Sequence, residues 1–294
     1  EPALNKAVET NSVKTFASDD FAGGSGTEDD PYIIVNADQL NKIRNNTSAS
    51  YKLGADIDMS DLQIWFPITS FTGTLDGDGH TIRNLTVDST GNKGNTGLFA
   101  YMAGTVRNLT LENVDVKGTE YVGALVGLAH GATIEGVTVK GGTVGSPDSK
   151  GTGGLVGSAL NHRPIKLTNI VVELSSVEGF GSVGGIISIL PGTLTNAVVS
   201  IDRLYNYSNN GSIGGIAGYA STSPKITNFI SNVNIQGGGT GVGGVVGTLY
   251  NSAGAFDISN GYTTGQIEHA SESSSEQHIG GLIGKISTNS KAEL

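Results

Sequence analysis

Two pairs of carboxylates have the type and spacing to do chemistry. Asp56 and Asp58, and likewise Asp76 and Asp78, stand two residues apart, so on a strand each pair would share one face. On the face of a parallel β-helix, such carboxylates hold calcium or act as the acid and base of polysaccharide cleavage. A lyase would also need a basic residue to take the α-proton, and the sequence puts only Arg83 close by, on the next strand. The plainer role is turn formation, since Asp76-Gly77-Asp78-Gly79 is a run in which Asp bonds its own backbone. For a sugar ligand, Tyr205, Tyr207 and Tyr250 offer stacking surfaces, whereas Trp65, beside Phe66 and Pro67, is expected beneath a helix.

Other chemistries lack their residues. The five His (80, 130, 162, 269 and 278) are isolated, and none belongs to the His-Glu-x-x-His of a zinc protease. With no Cys there is neither a thiol nucleophile nor a disulfide framework. No Gly-x-Ser-x-Gly elbow occurs, and GGSGTEDD (23–30) lacks the Lys and following helix of a phosphate loop. No catalytic residue, metal ligand or cofactor is therefore assigned, and the ligand-binding residues stay unassigned. A net charge of −10 lacks the basic footprint of a nucleic-acid binder. No apolar run approaches the ~18 residues of a membrane span, so none is expected.

The elements that would position these residues are repeats. GGLVG (153–157) has near-copies at 96–100, 123–127, 184–188, 214–218, 243–247 and 280–284. Taking Gly97, Ala124, Gly154, Gly185, Gly215, Gly244 and Gly281 as equivalent, the steps are 27, 30, 31, 30, 29 and 37 residues. Between the copies runs a second motif, apolar-x-Asn-apolar-x-apolar, with Asn84, Asn108, Asn169, Asn196, Asn228 and Asn260 at its third place and Gly136 as the exception. Asn and Gly share ease in the left-handed backbone region, so the third place is expected to be a corner. Repeats of ~30 residues are short for a propeller blade and suit one coil of a parallel β-solenoid.

The sequence thus predicts an all-β fold: a parallel, right-handed β-helix of about seven coils with one short N-terminal capping helix. Asn36, three residues before Gln39, is the helix cap, and Leu40 and Ile43 share its apolar face. Stacking is expected to align the six Asn in a buried amide ladder and Leu98, Leu125, Leu155, Ile186, Ile216, Val245 and Leu282 in an aliphatic column. Residues 1–22 are expected to be a polar linker and 23–294 a single solenoid domain, with 23–80 as cap and first strands and 81–290 as the repeats. The longer excursions, 145–152, 158–166, 248–256 and 268–279, are expected to bulge outward and present binding surface.

GALVG, GGLVG and GGLIG, each followed by an alternating strand with Asn, resemble the GLUG repeat over about residues 96–290. The upstream DIDM…WFPI…FTGTLDGDGHTI is similar to the region that precedes such repeats. Ala100 and Ser188 depart from the pattern, each replacing the final Gly. The resemblance implies a bacterial surface or extracellular β-solenoid of adhesin-like character, of the kind also found beside immunoglobulin-A-cleaving metalloproteases. The repeat carries no family catalytic residue. The expected function is accordingly a non-enzymatic, exported cell-surface or secreted adhesion module that binds carbohydrate or a host surface protein, its export signal removed. The alternatives are a carbohydrate-active β-helix enzyme using Asp76 and Asp78, and a passive spacer in a larger surface protein. An end-to-end or larger-chain contact is expected at the C-terminal coil, because 285–294 is too polar and short to cap it.

Overall fold

A computed structural model describes residues 21–251, 255–269 and 277–288. Most of the expected linker, and parts of the excursions at 248–256 and 268–279, lie outside the described residues. The chain climbs as a parallel β-solenoid, each strand pairing with its equivalent one coil on. The side strands Tyr121–Val122, Gly151–Gly153, Ser182–Gly184, Ser212–Gly214, Gly241–Gly243 and His278–Gly280 form one sheet and mark six turns. The first glycine motif joins that side through an isolated bridge, Thr96 to Val122.

In-register stacking fills the interior with columns of like residues. One column runs Tyr51, Leu75, Val106, Ile134, Leu167, Leu194 and Ile226, each at most 1% exposed. A second runs Ile57, Ile82, Leu111, Val139, Val172 and Val199, and is equally dry. Burying each such side chain contributes about 1.5–3 kcal/mol, which gives the stacked coils their cohesion. At the N-terminal end the columns give way to aromatics, with Phe71 stacked on Phe99 and Tyr51 beside Tyr32.

The helix Ala37–Asn41 closes that end, continued by a 3-10 turn, Lys42–Asn45. Asn36 Oδ1 accepts from Gln39 N at 2.9 Å and Gln39 Oε1 accepts from Val35 N at 2.8 Å, while Leu40 and Ile43 are fully buried. Trp65 is buried near this helix, donates from Nε1 to the Leu98 carbonyl at 3.1 Å, and lies under the Arg44 guanidinium.

The Asn corners are where expected, and their amides are not. Asn108, Asn169, Asn196, Asn228 and Asn260 have φ between 52° and 58°, and Gly136 has φ 62°. A left-handed residue slips the in–out alternation by one place. Leu167 and Ile170 both point inward, so Thr168 and Asn169 both point out. The ladder therefore runs on the outer surface. Asn196 donates to Asn169 at 2.8 Å and Asn228 to Asn196 at 3.0 Å. It is also not one ladder of six. Asn84 sits at a different corner, donating to Asp58 at 2.8 Å and accepting from Asn113 at 2.7 Å.

The glycine motif holds a second correction. Its glycines would be expected to turn corners, yet none of Gly153, Gly154 and Gly157 has positive φ. They are small because backbones pass close. A Cβ on Gly154 would lie 2.4 Å from the Gly185 carbonyl oxygen, and one on Gly157 would lie 2.4 Å from that of Gly127. The apolar residue between them behaves as expected: Leu98, Leu125, Leu155, Ile186, Ile216 and Val245 are fully buried, and Leu282 in the last described coil is 49% exposed.

Candidate functional site

The paired carboxylates come first. Asp76 ends the strand Thr74–Asp76, and Asp78 follows with φ 50°, so the two do not share a strand face. Asp76 Oδ1 accepts from Asp78 N at 2.9 Å, which is the turn role. The next coil supplies Arg107 at 2.8 Å and Asn108 at 3.1 Å to Asp76, and the preceding coil supplies Lys52 at 2.9 Å to Asp78. Two cations therefore flank this pair, where the sequence suggested only Arg83. Arg83 instead pairs with Asp56 at 2.8 Å, beside His80 and the Thr81 N–H.

These contacts set the ionisation. Burial pushes the Asp76 carboxyl up, but the Asp78 N–H, Arg107 and Asn108 outweigh it and hold it below the usual range. Asp56 is lowered by the Thr81 N–H and by His80, and Asp58 by Asn84 and the Ser60 N–H. Lowered, ion-paired carboxylates are poor general acids at neutral pH. Among the described residues no group of three or more His, Asp or Glu converges as a cation site would require.

The expected stacking tyrosines are partly committed. Tyr205 and Tyr207 lie against each other with their rings tilted and centroids 4.5 Å apart, Arg203 covers the Tyr205 ring at 4.2 Å, and the Tyr207 hydroxyl donates to Glu178 at 2.7 Å. Burial pushes the Tyr207 hydroxyl up, with Glu178 adding to it. Tyr250 stacks on Tyr219 on another face. The excursion at 158–166 carries exposed His162 and Arg163, and that at 145–152 exposes Pro147, Asp148 and Lys150 while Ser146 and Ser149, both donating to the Gly118 carbonyl, anchor it.

Sequence reasoning missed a concavity on the outer face. Beside the outer ladder lies a shallow groove of about 430 Å³. Asn169, Asn196, Asn228 and Asn260 form one wall, and Val171, Val198, Ile230 and Tyr262 the other. The floor is Ile170, Ala197 and Phe229, all buried. Its apolar wall is one in-register column, because Val171 pairs with Val198, Val198 with Ile230, and Ile230 with Tyr262. Val198 is 38% and Tyr262 55% exposed. The signal was in the Asn motif, whose fifth place reads Thr86, Thr110 and Thr138 and then changes to Val171, Val198, Ile230 and Tyr262.

Comparison with known proteins agrees with this architecture. Residues 29–141 match the family described as the M26 IgA1-specific metallo-endopeptidase N-terminal region. Halomucin of Haloquadratum walsbyi is 31% identical over 369 aligned positions, covering 95% of this chain and 4% of that protein. The immunoglobulin A1 protease of Streptococcus sanguinis is 29% identical over 255 positions, covering 74% of this chain and 13% of that protein. The chain thus spans a small part of these curated relatives. A crystal structure from Bacteroides ovatus, provisionally titled an immunoglobulin A1 protease, superposes with a TM-score of 0.63 at 23% identity, over 91% of this chain and 87% of that one, and so shares the fold. Residue pattern, matched region and fold agree: the chain is a repeat-built β-solenoid whose glycine motifs resemble the GLUG repeat, and its residues 29–141 are similar to the N-terminal region of the M26 immunoglobulin A1 metallo-endopeptidases.

Proposed function

We propose that this solenoid is a non-enzymatic interaction module of an exported protein, working at a cell surface or in the medium. One observation carries the reading. The carboxylates best placed for acid–base chemistry are tied into ion pairs between coils, whereas the uncharged groove over four coils is open. Such a surface suits binding, since shaped apolar area with a few convergent polar groups is how ligand sites are built. The similarity to a region named as N-terminal in a protease family supports a role beside catalysis.

The test is turnover. The chain is incubated with a panel of neutral and acidic polysaccharides, and reducing ends and unsaturated products are followed for wild type and Asp76→Asn. No product from either is expected. Product formed by wild type and lost in Asp76→Asn would replace this reading with the β-helix enzyme.

A further inference from the structure

Resting on that reading, we infer that the groove between the amide ladder and the apolar column binds an uncharged, extended polysaccharide lying along the solenoid axis. Charge is the first ground. None of the lining residues is charged, on a chain of net charge −10. An acidic glycan would be repelled by the surrounding field, and a basic one would find no partner in the groove. A neutral polymer meets neither penalty.

The second ground is the pairing of chemistries. An amide has two N–H donors and two acceptor lone pairs. Within the ladder Asn196 spends one N–H on Asn169, and Asn228 one on Asn196. Each rung thus keeps a second N–H and acceptor capacity for hydroxyls. Across the groove, Val171, Val198, Ile230 and Tyr262 offer what the C–H face of a pyranose ring packs against, with the Tyr262 ring at one end. Sugars carry these two kinds of surface together, hydroxyl edge and C–H face.

The third ground is period. Both walls repeat once per coil, about 4.8 Å, and an equatorially β-linked hexopyranose chain advances by nearly that rise per residue. Four coils, about 4.8 Å apart, run alongside about three to four sugars, of which alternate ones turn the same hydroxyl edge to the ladder. An extended polypeptide advances by about 3.3 Å per residue and falls out of step with the same walls.

Affinity electrophoresis tests this, with the chain run through native gels containing hydroxyethyl cellulose, glucomannan or, as an acidic control, polygalacturonate. Retardation by a neutral β-glycan, little changed between 50 mM and 500 mM salt, is expected, with none by polygalacturonate. Val198→Lys should weaken retardation at least tenfold and Tyr262→Ala severalfold, both with wild-type melting temperatures, because both side chains are exposed. Tyr250→Ala, on another face, should bind as wild type. Absence of retardation by every neutral polymer, or retardation that survives Val198→Lys, overturns the inference. So does a concentration-dependent dimer in sedimentation that Val198→Lys abolishes, since the groove would then belong to a second copy. These failures leave the non-enzymatic reading standing, and product release alone removes it.

Discussion

At the scale of single residues, the corner position sorts side chains by backbone first and chemistry second. Gly136 holds φ 62° between Asn108 and Asn169, and an added Cβ would sit 3.2 Å from the movable Asn108 Oδ1. Gly136→Asn should therefore restore the missing rung, adding a hydrogen bond worth about 0.5–1.5 kcal/mol and removing unfolded-state freedom. Chemical denaturation should show a higher midpoint at unchanged slope; a lower midpoint would mean the ladder stabilises nothing. Asp76 gives a pH prediction. Its carboxyl is held below its ordinary value by the Asp78 N–H, Arg107 and Asn108 against the opposing effect of burial. The stability it contributes is present above the unfolded value near 4 and lost as pH falls through the folded one. Asp76→Asn should accordingly flatten the fall of melting temperature between pH 5 and 3; an equally steep fall would show that this pair is not coupled to folding.

At the scale of the element, the repeat was legible and the purpose of its parts was not. Seven glycine motifs at near-constant spacing announced coils, and Leu155 and its equivalents announced a column. A sequence cannot separate a glycine needed for positive φ from one needed for space, because both read Gly. The structure separates them: a Cβ on Gly244 would lie 2.2 Å from the Gly281 carbonyl oxygen, whereas one on Gly281 meets no described atom within 4 Å. Gly244→Ala should cost about 1–3 kcal/mol, and Gly281→Ala, at the same motif position, should be neutral or slightly stabilising. Equal losses at both would restore a conformational role for the motif. The same ambiguity hid the direction of the Asn side chains. One left-handed residue shifts the alternation, so Leu167 and Ile170 both face the core, and period-two counting through the corner puts the amide on the wrong side.

At the scale of the whole molecule, the architecture divides labour between outer columns. The early coils carry charged outer columns, with Lys52, Asp76 and Arg107 stacked in register. Ion pairs between these coils stitch neighbours whose register also rests on buried apolar columns. The later coils replace Thr81, Thr110 and Thr138 by Val171, Val198, Ile230 and Tyr262 at the equivalent place, and a groove opens beside the ladder. That change was present in the sequence, but a motif written with an unspecified fifth place erased it, and only stacking shows four such residues to be neighbours. The acidic pairs, which looked most like chemistry, bridge neighbouring coils; in the function proposed above, the uncharged groove is the surface that takes a ligand. Ligand-induced stabilisation tests this division most directly, because a ligand bound by the native state alone raises the melting temperature according to its affinity. With glucomannan oligosaccharides in large excess, the melting temperature should rise equally in wild type and Asp76→Asn and stay unchanged in Val198→Lys. A rise that persists in Val198→Lys and disappears in Asp76→Asn would contradict the account, placing the ligand at the carboxylates.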